Sequence, residues 1–550
     1  MTVRTQKLSI RLLRTGVEPP NAVRDGVELS DWPKLEGAKI ELGTMGGNPP
    51  KWARFLQLTE AEKAEVFNNT AFGLLFVKAS GRWFAVSFGM GHVKLDPAKI
   101  EQDFGLKVVL NTVDPKQLKS ADVRTPDENT LSRRSQTSRG SDQTAFAIDV
   151  ERDIVRGLAG NPKDTSFAIR VAGSDALSLD RKLELADLPT VCAQAYEYYQ
   201  KSDYKTNFGW IDQIQHVRDE ALIAALDGEL AATIDGALKG THTNHLHLAY
   251  PIIYDPERAT YIQYKGFRSR EIFPDLHLGG YLAELTRVGK ASFATDDLIV
   301  HTIHEVDDEG KDCGDAWKVR DCLVFETEQN GQTYVLSGGR WYKVAKDLVT
   351  EVEAFFQRAP RATLPPAFPD ENEETYNERI GAIGEDLLCL DRKLIRPAGA
   401  SSPIEACDFL QRDSCLIHVK DKTSSSRLSH LFAQGTVSAR VLKIDGTARD
   451  QLRGIIAGIE GNVGTNGFQA IIPASNDLFR AESFTVVYAV LVENDDPRLP
   501  FFSLVSFRQA ARELEALGYH FAFSWITKPV STATKPKRRK AKKPPAASAP

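Results

Sequence analysis

The stretch that decides the fold runs from Ile404 to Leu442: IEACDFLQRDSCLIHVKDKTSSSRLSHLFAQGTVSARVL. Cys415, Ile417 and Val419 alternate with Leu416, His418 and Lys420, the period-two pattern of a short strand. Residues two apart on a strand share a face and sit roughly 6–7 Å apart. His418 and Lys420 are therefore expected to point into one space. Ile404–Leu410 reads as a preceding strand that carries Asp408, and Gln411–Ser414 as a polar break of hairpin length. A hairpin there brings Asp408 beside His418 and Lys420. Ser424, Ser425 and Ser426 form a helix N-cap run. Leu428, Leu431, Phe432, Gly435, Ala439 and Leu442 follow at helical spacing, which predicts a buried face. Arg427, His430, Gln434 and Ser438 fall on a different stripe of the same helix.

The flanks extend the pattern. Upstream, Tyr376–Leu390 reads as a helix with Ile380, Ile383 and Leu387 inward. Glu378 and Glu385, seven residues apart, share one of its faces. Downstream, Thr485–Val492 reads as a buried strand, Phe507–Leu517 as a helix and His520–Ile526 as a last strand. Helix, strand, strand, helix, strand, helix, strand predicts a mixed sheet with helices on both sides. Four prolines in 359–370 (APRATLPPAFPD) exclude helix and central strand and mark a linker, so this domain spans 371–527.

The constellation resembles the PD-(D/E)XK nuclease superfamily, the restriction-endonuclease-like fold. In that fold an Asp at the end of one strand and an acid-x-Lys on the next hold a divalent metal and an attacking water, often with a Glu from the helix before the core. The resemblance implies Asp408 as the first acid, Lys420 as the lysine, and Glu378 or Glu385 as the helix acid. Asp408, His418, Glu378 and Glu385 are the implied metal ligands, and Gln434 joins Asp408, His418 and Lys420 in catalysis. His418 stands where the superfamily has an acid. Imidazole suits manganese better than magnesium, which prefers oxygen, so the expected cofactor is Mg²⁺ or Mn²⁺. A second resemblance covers about Lys7 to Ile526. Phe88-Gly89-Met90-Gly91, Phe104-Gly105-Leu106, Asp153 with Gly160-Asn161-Pro162, and Leu428–Gly435 (LSHLFAQG) together resemble a sporadically distributed, uncharacterised family of bacterial proteins. It implies a part in defence against phage or foreign DNA, and leaves room for a defence-system partner protein.

Residues 1–122 read as an N-terminal α/β unit. Leu8–Leu13 is its first strand, and Ala71–Val77 and Trp83–Phe88 flank a turn at Ser80-Gly81. Phe88-Gly89-Met90-Gly91 lacks the G-x-G-x-x-G spacing and reads as a turn at a strand end rather than a phosphate cradle. Pro97–Phe104 reads as a short helix and Val108–Val113 as a strand. Residues 123–142, rich in Ser, Thr and Arg, read as a linker or loop. Residues 143–358 form a middle α/β region, with a helix near Val150–Leu158, a strand at Ser166–Val171, and a helical stretch Leu179–Tyr199 broken at Pro189. Strands follow at Cys322–Glu326, Thr333–Leu336 and Arg340–Val344, then a helix at Asp347–Gln357. His242, His245 and His247, and His301 with His304, fit polar positions on strands better than a ligand set.

Composition is that of an ordinary globular protein, 42% hydrophobic and 26% charged. No apolar run is long enough for a membrane span, and six cysteines without a CxxC pair fit a reducing, cytoplasmic setting. Net charge is −5, yet residues 528–550 carry eight Lys or Arg and no acid, leaving −13 on the remainder. This low-complexity tail predicts disorder and non-specific nucleic-acid contact through Lys537, Arg538, Arg539 and Lys540. Arg133, Arg134, Arg427 and His430 are further candidates for backbone contacts. The fold expectation is mixed α/β throughout. The functional expectation is a metal-dependent nuclease acting on DNA; the competing one is a catalytically degenerate nucleic-acid-binding or sensor protein of the same fold.

Overall fold

A computed structural model describes residues 4–46, 56–66, 69–126, 130–241, 245–253, 261–369, 371–383, 386–399, 402–421, 426–463, 467–492 and 498–529. The chain is of the mixed α/β class, and its strands fall into five sheets among the described residues. It divides into two compact units: 1–232 with 248–348, and 233–247 with 349–550.

The first unit is built on a ten-stranded antiparallel sheet. The Thr5–Leu12 strand lies at its centre, between Arg82–Gly89 and Leu177–Lys182. Its apolar residues meet Phe104, Val108, Val109, Val191 and Cys192 in one core. Of two smaller sheets, one pairs Leu323–Gln329, Gln332–Ser337 and Arg340–Val344 antiparallel as expected.

Several expectations fail in this unit. Val108–Val113 is not a strand: Phe104–Thr112 is a helix. A short apolar run satisfies a buried helix as well as a strand. Tertiary packing decides here, because Gly105 lets the helix touch backbone; a Cβ there would sit 2.0 Å from the Ala176 carbonyl oxygen. The supposed loop at 123–142 is largely a ribbon, Val113–Thr125 paired antiparallel with Leu131–Ser141. It is an edge pair whose outer strand is half-exposed or exposed throughout, so it lacks the apolar alternation that announces a strand. The helix expected near Val150–Leu158 is instead the strand Ile154–Pro162. Leu179–Tyr199 divides into the strand Leu177–Lys182 and the helix Leu188–Gln200, with Pro189 in its first turn.

The second unit carries a five-stranded sheet in the order Leu387–Cys389, Phe409–Gln411, Cys415–Asp421, Thr485–Val492, His520–Thr527. The first three strands run antiparallel and the last three parallel. Thr485–Val492 (TVVYAVLV) is buried at every position after the first, as a central parallel strand must be. Helix Glu373–Ile383 packs Tyr376 and Ile380 on one face of the sheet, against Ile417, Val419 and Val487. On the helix Ser426–Ile444, Gly435 lies against the Tyr488 ring, where a Cβ would come within 2.4 Å. The Tyr488 hydroxyl donates to the Phe432 carbonyl at 3.1 Å. Buried Arg449 donates to the carbonyls of Leu442 at 2.9 Å and Ser475 at 3.2 Å, closing the end of the same helix.

Two boundaries move. The Pro-rich 359–370 segment does not behave as a linker. Ala362, Leu364 and Ala367 pack on the sheet's core, and the Ala362 and Ala367 N–H groups donate to the carbonyls of Phe523 and Thr527. Proline excludes helix but permits this extended edge. Nor does the basic tail begin at Lys528. Lys528 is buried, its N–H donates to the Val492 carbonyl, and its ammonium lies 2.9 Å from Asp421. Removing one partner of a buried ion pair strands the other charge, at a cost of about 3–5 kcal/mol. Lys528→Met should therefore lower the urea unfolding midpoint clearly. An unchanged midpoint would mean that the pair contributes nothing.

Candidate functional site

The hairpin forms as expected. Ser414 adopts a left-handed φ of 65° and its N–H closes the turn on the Gln411 carbonyl at 3.0 Å. Phe409 pairs with Ile417 and Leu410 with Leu416. The ladder continues through Asp408, whose N–H donates to Ile417 and whose carbonyl accepts from Leu390. Its side chain stays inside this frame: the carboxylate Oδ2 accepts the Val419 N–H at 2.7 Å, and Asp408 is only 5% exposed.

Two further acids meet it there. Asp391 follows the Leu387–Cys389 strand, and Glu405 belongs to the two-residue strand Ile404–Glu405. Ligand oxygens of Asp391, Glu405 and Asp408 all lie within 4.8 Å of one another, an arrangement that could hold a metal ion. Glu405 is oriented by the Arg392 N–H, which donates to its Oε1 at 3.1 Å. Lys420 sits at the same end of the sheet with its ammonium 2.5 Å from Glu373, in the first turn of the Glu373–Ile383 helix. Burial pushes the Asp408 carboxyl up to about 8, against the pull of the Val419 N–H and Lys420; Asp391 and Glu373 add to the upward push. A carboxyl this far above its ordinary range lacks positive charge. The second unit's cavity of about 600 Å³, lined by Phe355, Pro360, Tyr519 and Phe521, lies at the opposite end of the parallel strands. The strand-end acids are the candidate site, because among the described residues that cavity presents no comparable cluster of ligands.

The remaining candidates scatter. His418 lies apart from the acid cluster. It is 2% exposed and turned to the helix Ser426–Ile444, where Nε2 lies 3.3 Å from the Ser438 hydroxyl, and burial with the Lys420 charge lowers its pKa to about 3. Ser438 thus faces inward instead of joining an outer stripe. On that helix Gln434 is half-exposed and His430 exposed; Arg427 lies in its first turn. Glu378 is exposed, so the acid that meets Lys420 is Glu373, five residues earlier; Glu385 lies outside the described residues. The expected helix Tyr376–Leu390 ends at Ile383, and Leu387 opens a strand instead. Arg133 is tied to buried Asp153, and Arg134 is held by both Asp122 oxygens at 2.7 Å, so neither is a loose arm. Lys537, Arg538, Arg539, Lys540 and His242 lie outside the described residues. Gly89 and Gly91 serve close backbone packing: a Cβ would come 2.4 Å from the Ala71 oxygen and 2.1 Å from the Gly73 oxygen, respectively. His301 is held by the Tyr281 hydroxyl at 2.5 Å and by Asp297 at 3.4 Å, not by a metal-like set with His304.

A family model matches residues 8–527, nearly the whole chain. The protein belongs to DUF6119, a family of unknown function. No curated protein and no solved structure matches the chain. Membership accounts for the extent of the whole-chain resemblance and brings no chemistry of its own. No helix among the described residues is long and apolar enough to cross a membrane.

Asp391 and Glu405 escaped the sequence reading because neither lies on the D…HxK pattern. A raised carboxyl favours the folded state fully below its unfolded pKa and loses that contribution as pH rises through the folded value. For Asp408 the window runs from about pH 4 to about 8. In chelator, wild type should lose stability relative to Asp408→Asn across that window, by at most about 1.4 kcal/mol per pH unit. Adding Mn²⁺ or Mg²⁺ at pH 8 should restore it in wild type alone. Parallel pH–stability curves for the two proteins would refute the assignment.

Proposed function

We propose that the second unit is a metal-dependent nuclease that hydrolyses phosphodiesters in DNA, with Asp391, Glu405 and Asp408 as ion ligands and Lys420 as the phosphate-facing cation. The observation that carries this reading is the cluster of three carboxylates beside Lys420 at the strand end. The order helix, three strands, helix, strand, with a mixed sheet between helices, supports the likeness to the restriction-endonuclease-like core. The site lies at the C-terminal end of the Cys415–Asp421 strand, where antiparallel pairing gives way to parallel.

An all-carboxylate set fits a hard divalent cation such as Mg²⁺ or Mn²⁺. With His418 turned away, the set has no imidazole to favour manganese. Such an ion would acidify a water and polarise a phosphoryl oxygen. The chain's own residues do the rest. Asp408 releases its proton as positive charge arrives. Lys420 exchanges Glu373 for a phosphate oxygen and stabilises the negative charge that develops there. Glu373 keeps the ammonium at the site until then. Action on phage or foreign DNA in bacterial defence is part of the proposal and rests on the family resemblance.

The second reading, a nucleic-acid-binding or sensor protein that does not cut, is favoured by one observation: Lys420 is already paired with Glu373. Plasmid DNA incubated with Mn²⁺ or Mg²⁺ separates the two. Metal-dependent nicking should fall on the order of 100-fold or more in both Asp408→Asn and Lys420→Met. Binding without cutting in wild type would overturn the nuclease in favour of the sensor.

A further inference from the structure

The first unit holds a cavity of about 470 Å³ within the size range of small-molecule sites. Its walls come from the helix Phe104–Thr112, residues 204–218 and Tyr342 on the Arg340–Val344 strand. Ten of its fifteen lining residues are polar or titratable. The lining carries three carboxylates, Asp103, Asp153 and Asp212, and three cations, Lys107, Lys205 and Arg218, and the carboxylates are the better partnered. Asp103 and its neighbour Asp175 share Arg340, at 3.3 Å from Asp103, and the Asp103 N–H also donates to Asp175 at 3.0 Å. Asp153 is taken by Thr125, Arg133 and the Asp149 N–H. Asp212 accepts from the Tyr204 hydroxyl at 2.8 Å and lies 3.5 Å from Lys205.

The cations are less well served. Among the described residues the Lys107 ammonium has no hydrogen-bond or ion-pair partner; it lies 5.4 Å from the centre of the Tyr199 ring. Arg218 donates to the Tyr199 hydroxyl at 3.1 Å and the Gln102 carbonyl at 3.4 Å, with the Glu101 carboxylate as far as 4.0 Å. Burial, then Arg218, lowers the Lys107 pKa against the pull of Asp212 and Asp103, and Lys205 lowers it further. Burial, with Arg340 and Arg218, drives His216 down to about 3. The buried His216 Nδ1 has no hydrogen-bond partner among the described residues. Unpaired buried polar groups are costly, and cations that repel one another in a cleft form a site awaiting an anion.

We propose that this cavity binds a small phosphomonoester of about mononucleotide size, its phosphate held by Lys107, Lys205 and Arg218. A phosphate oxygen gives Lys107 the acceptor it lacks. Two negative charges remove the repulsion among the three cations. The remaining volume and the faces of Tyr204, Leu106 and Ile211 receive the organic part. The volume suits a small ester. The proposal does not depend on the activity of the second unit.

The test uses the full-length protein in calorimetry and thermal shift with AMP, ribose 5-phosphate, inorganic phosphate and adenosine. AMP or ribose 5-phosphate should bind and raise the melting temperature. Lys107→Met and Arg218→Gln should each weaken binding at least about tenfold, the scale of one lost charge-assisted hydrogen bond. Lys205→Met should weaken it too; its side chain is 60% exposed, so this variant reports even if the others fail to fold. Asp408→Asn should bind as wild type does. The proposal is overturned if neither ester binds, if adenosine binds as well as AMP, or if Lys205→Met and its companions bind normally. Inorganic phosphate binding as tightly as both esters would overturn the organic half and leave an anion site only.

Discussion

A carboxylate buried at the end of a strand must find positive charge or surrender its own. Asp408 is in that position. Its backbone is committed to the ladder on both sides, so the side chain cannot move to water without breaking pairing. One N–H, from Val419, and the neighbouring Lys420 ease its charge, but Lys420 is itself held by Glu373. Asp391 and Glu405 then add negative charge at the same point. Hydrophobic packing sets this geometry, since Tyr376, Ile380, Ile417 and Val419 fix the helix and strand that carry Glu373 and Lys420. The packing stabilises the fold while the acids at its rim oppose it, a division of labour common at sites that gain their compensation from a ligand.

The same strand shows why period two is a weak guide to side-chain tips. His418 and Lys420 belong to one face by alternation, yet their tips serve opposite sides of the sheet. The imidazole stands on a single carbon in mid-strand and ends at Ser438 on one helix. Lys420 lies one residue from the strand's end and has a four-carbon stem, long enough to reach Glu373 on the helix that packs with Ile417 and Val419. Sharing a face places two Cβ atoms together. It does not place an ammonium and a ring nitrogen together.

What could be read from the sequence follows the same physics. The hairpin at 408–420, the buried Thr485–Val492 strand and the inward face at Leu428, Leu431, Gly435 and Ala439 rest on strong periodicity or turn chemistry, and the fold has them. Asp408 and Lys420 were legible because they lie on that hairpin. Asp391 and Glu405 were not: one follows a three-residue strand that periodicity merged into a helix, and the other sits on a strand of two residues. Elements so short hold too few residues to show a period. The ribbon of Val113–Thr125 and Leu131–Ser141 hid for another reason, since its outer strand is exposed or half-exposed throughout and Arg134 pairs across it with Asp122. Charges that satisfy each other across a ribbon look, in sequence, like charges on a loop.

Lys420 and Glu373 also limit how the strand-end acids can act. Their side chains are 16% and 20% exposed, so water screens the pair only in part. Separating them in place would leave two poorly solvated charges. Under the proposed function a phosphate oxygen takes the place of Glu373 on Lys420, and positive charge at the nearby acids offsets the Glu373 charge so released. The two events therefore favour each other: positive charge at Asp391, Glu405 and Asp408 lessens the repulsion that Asp408 feels from Glu373, and an anion at Lys420 removes the cation that now eases Asp408. Under the proposed function, ion and phosphate should bind this rim cooperatively, each weak without the other, as the reciprocity of coupled binding requires.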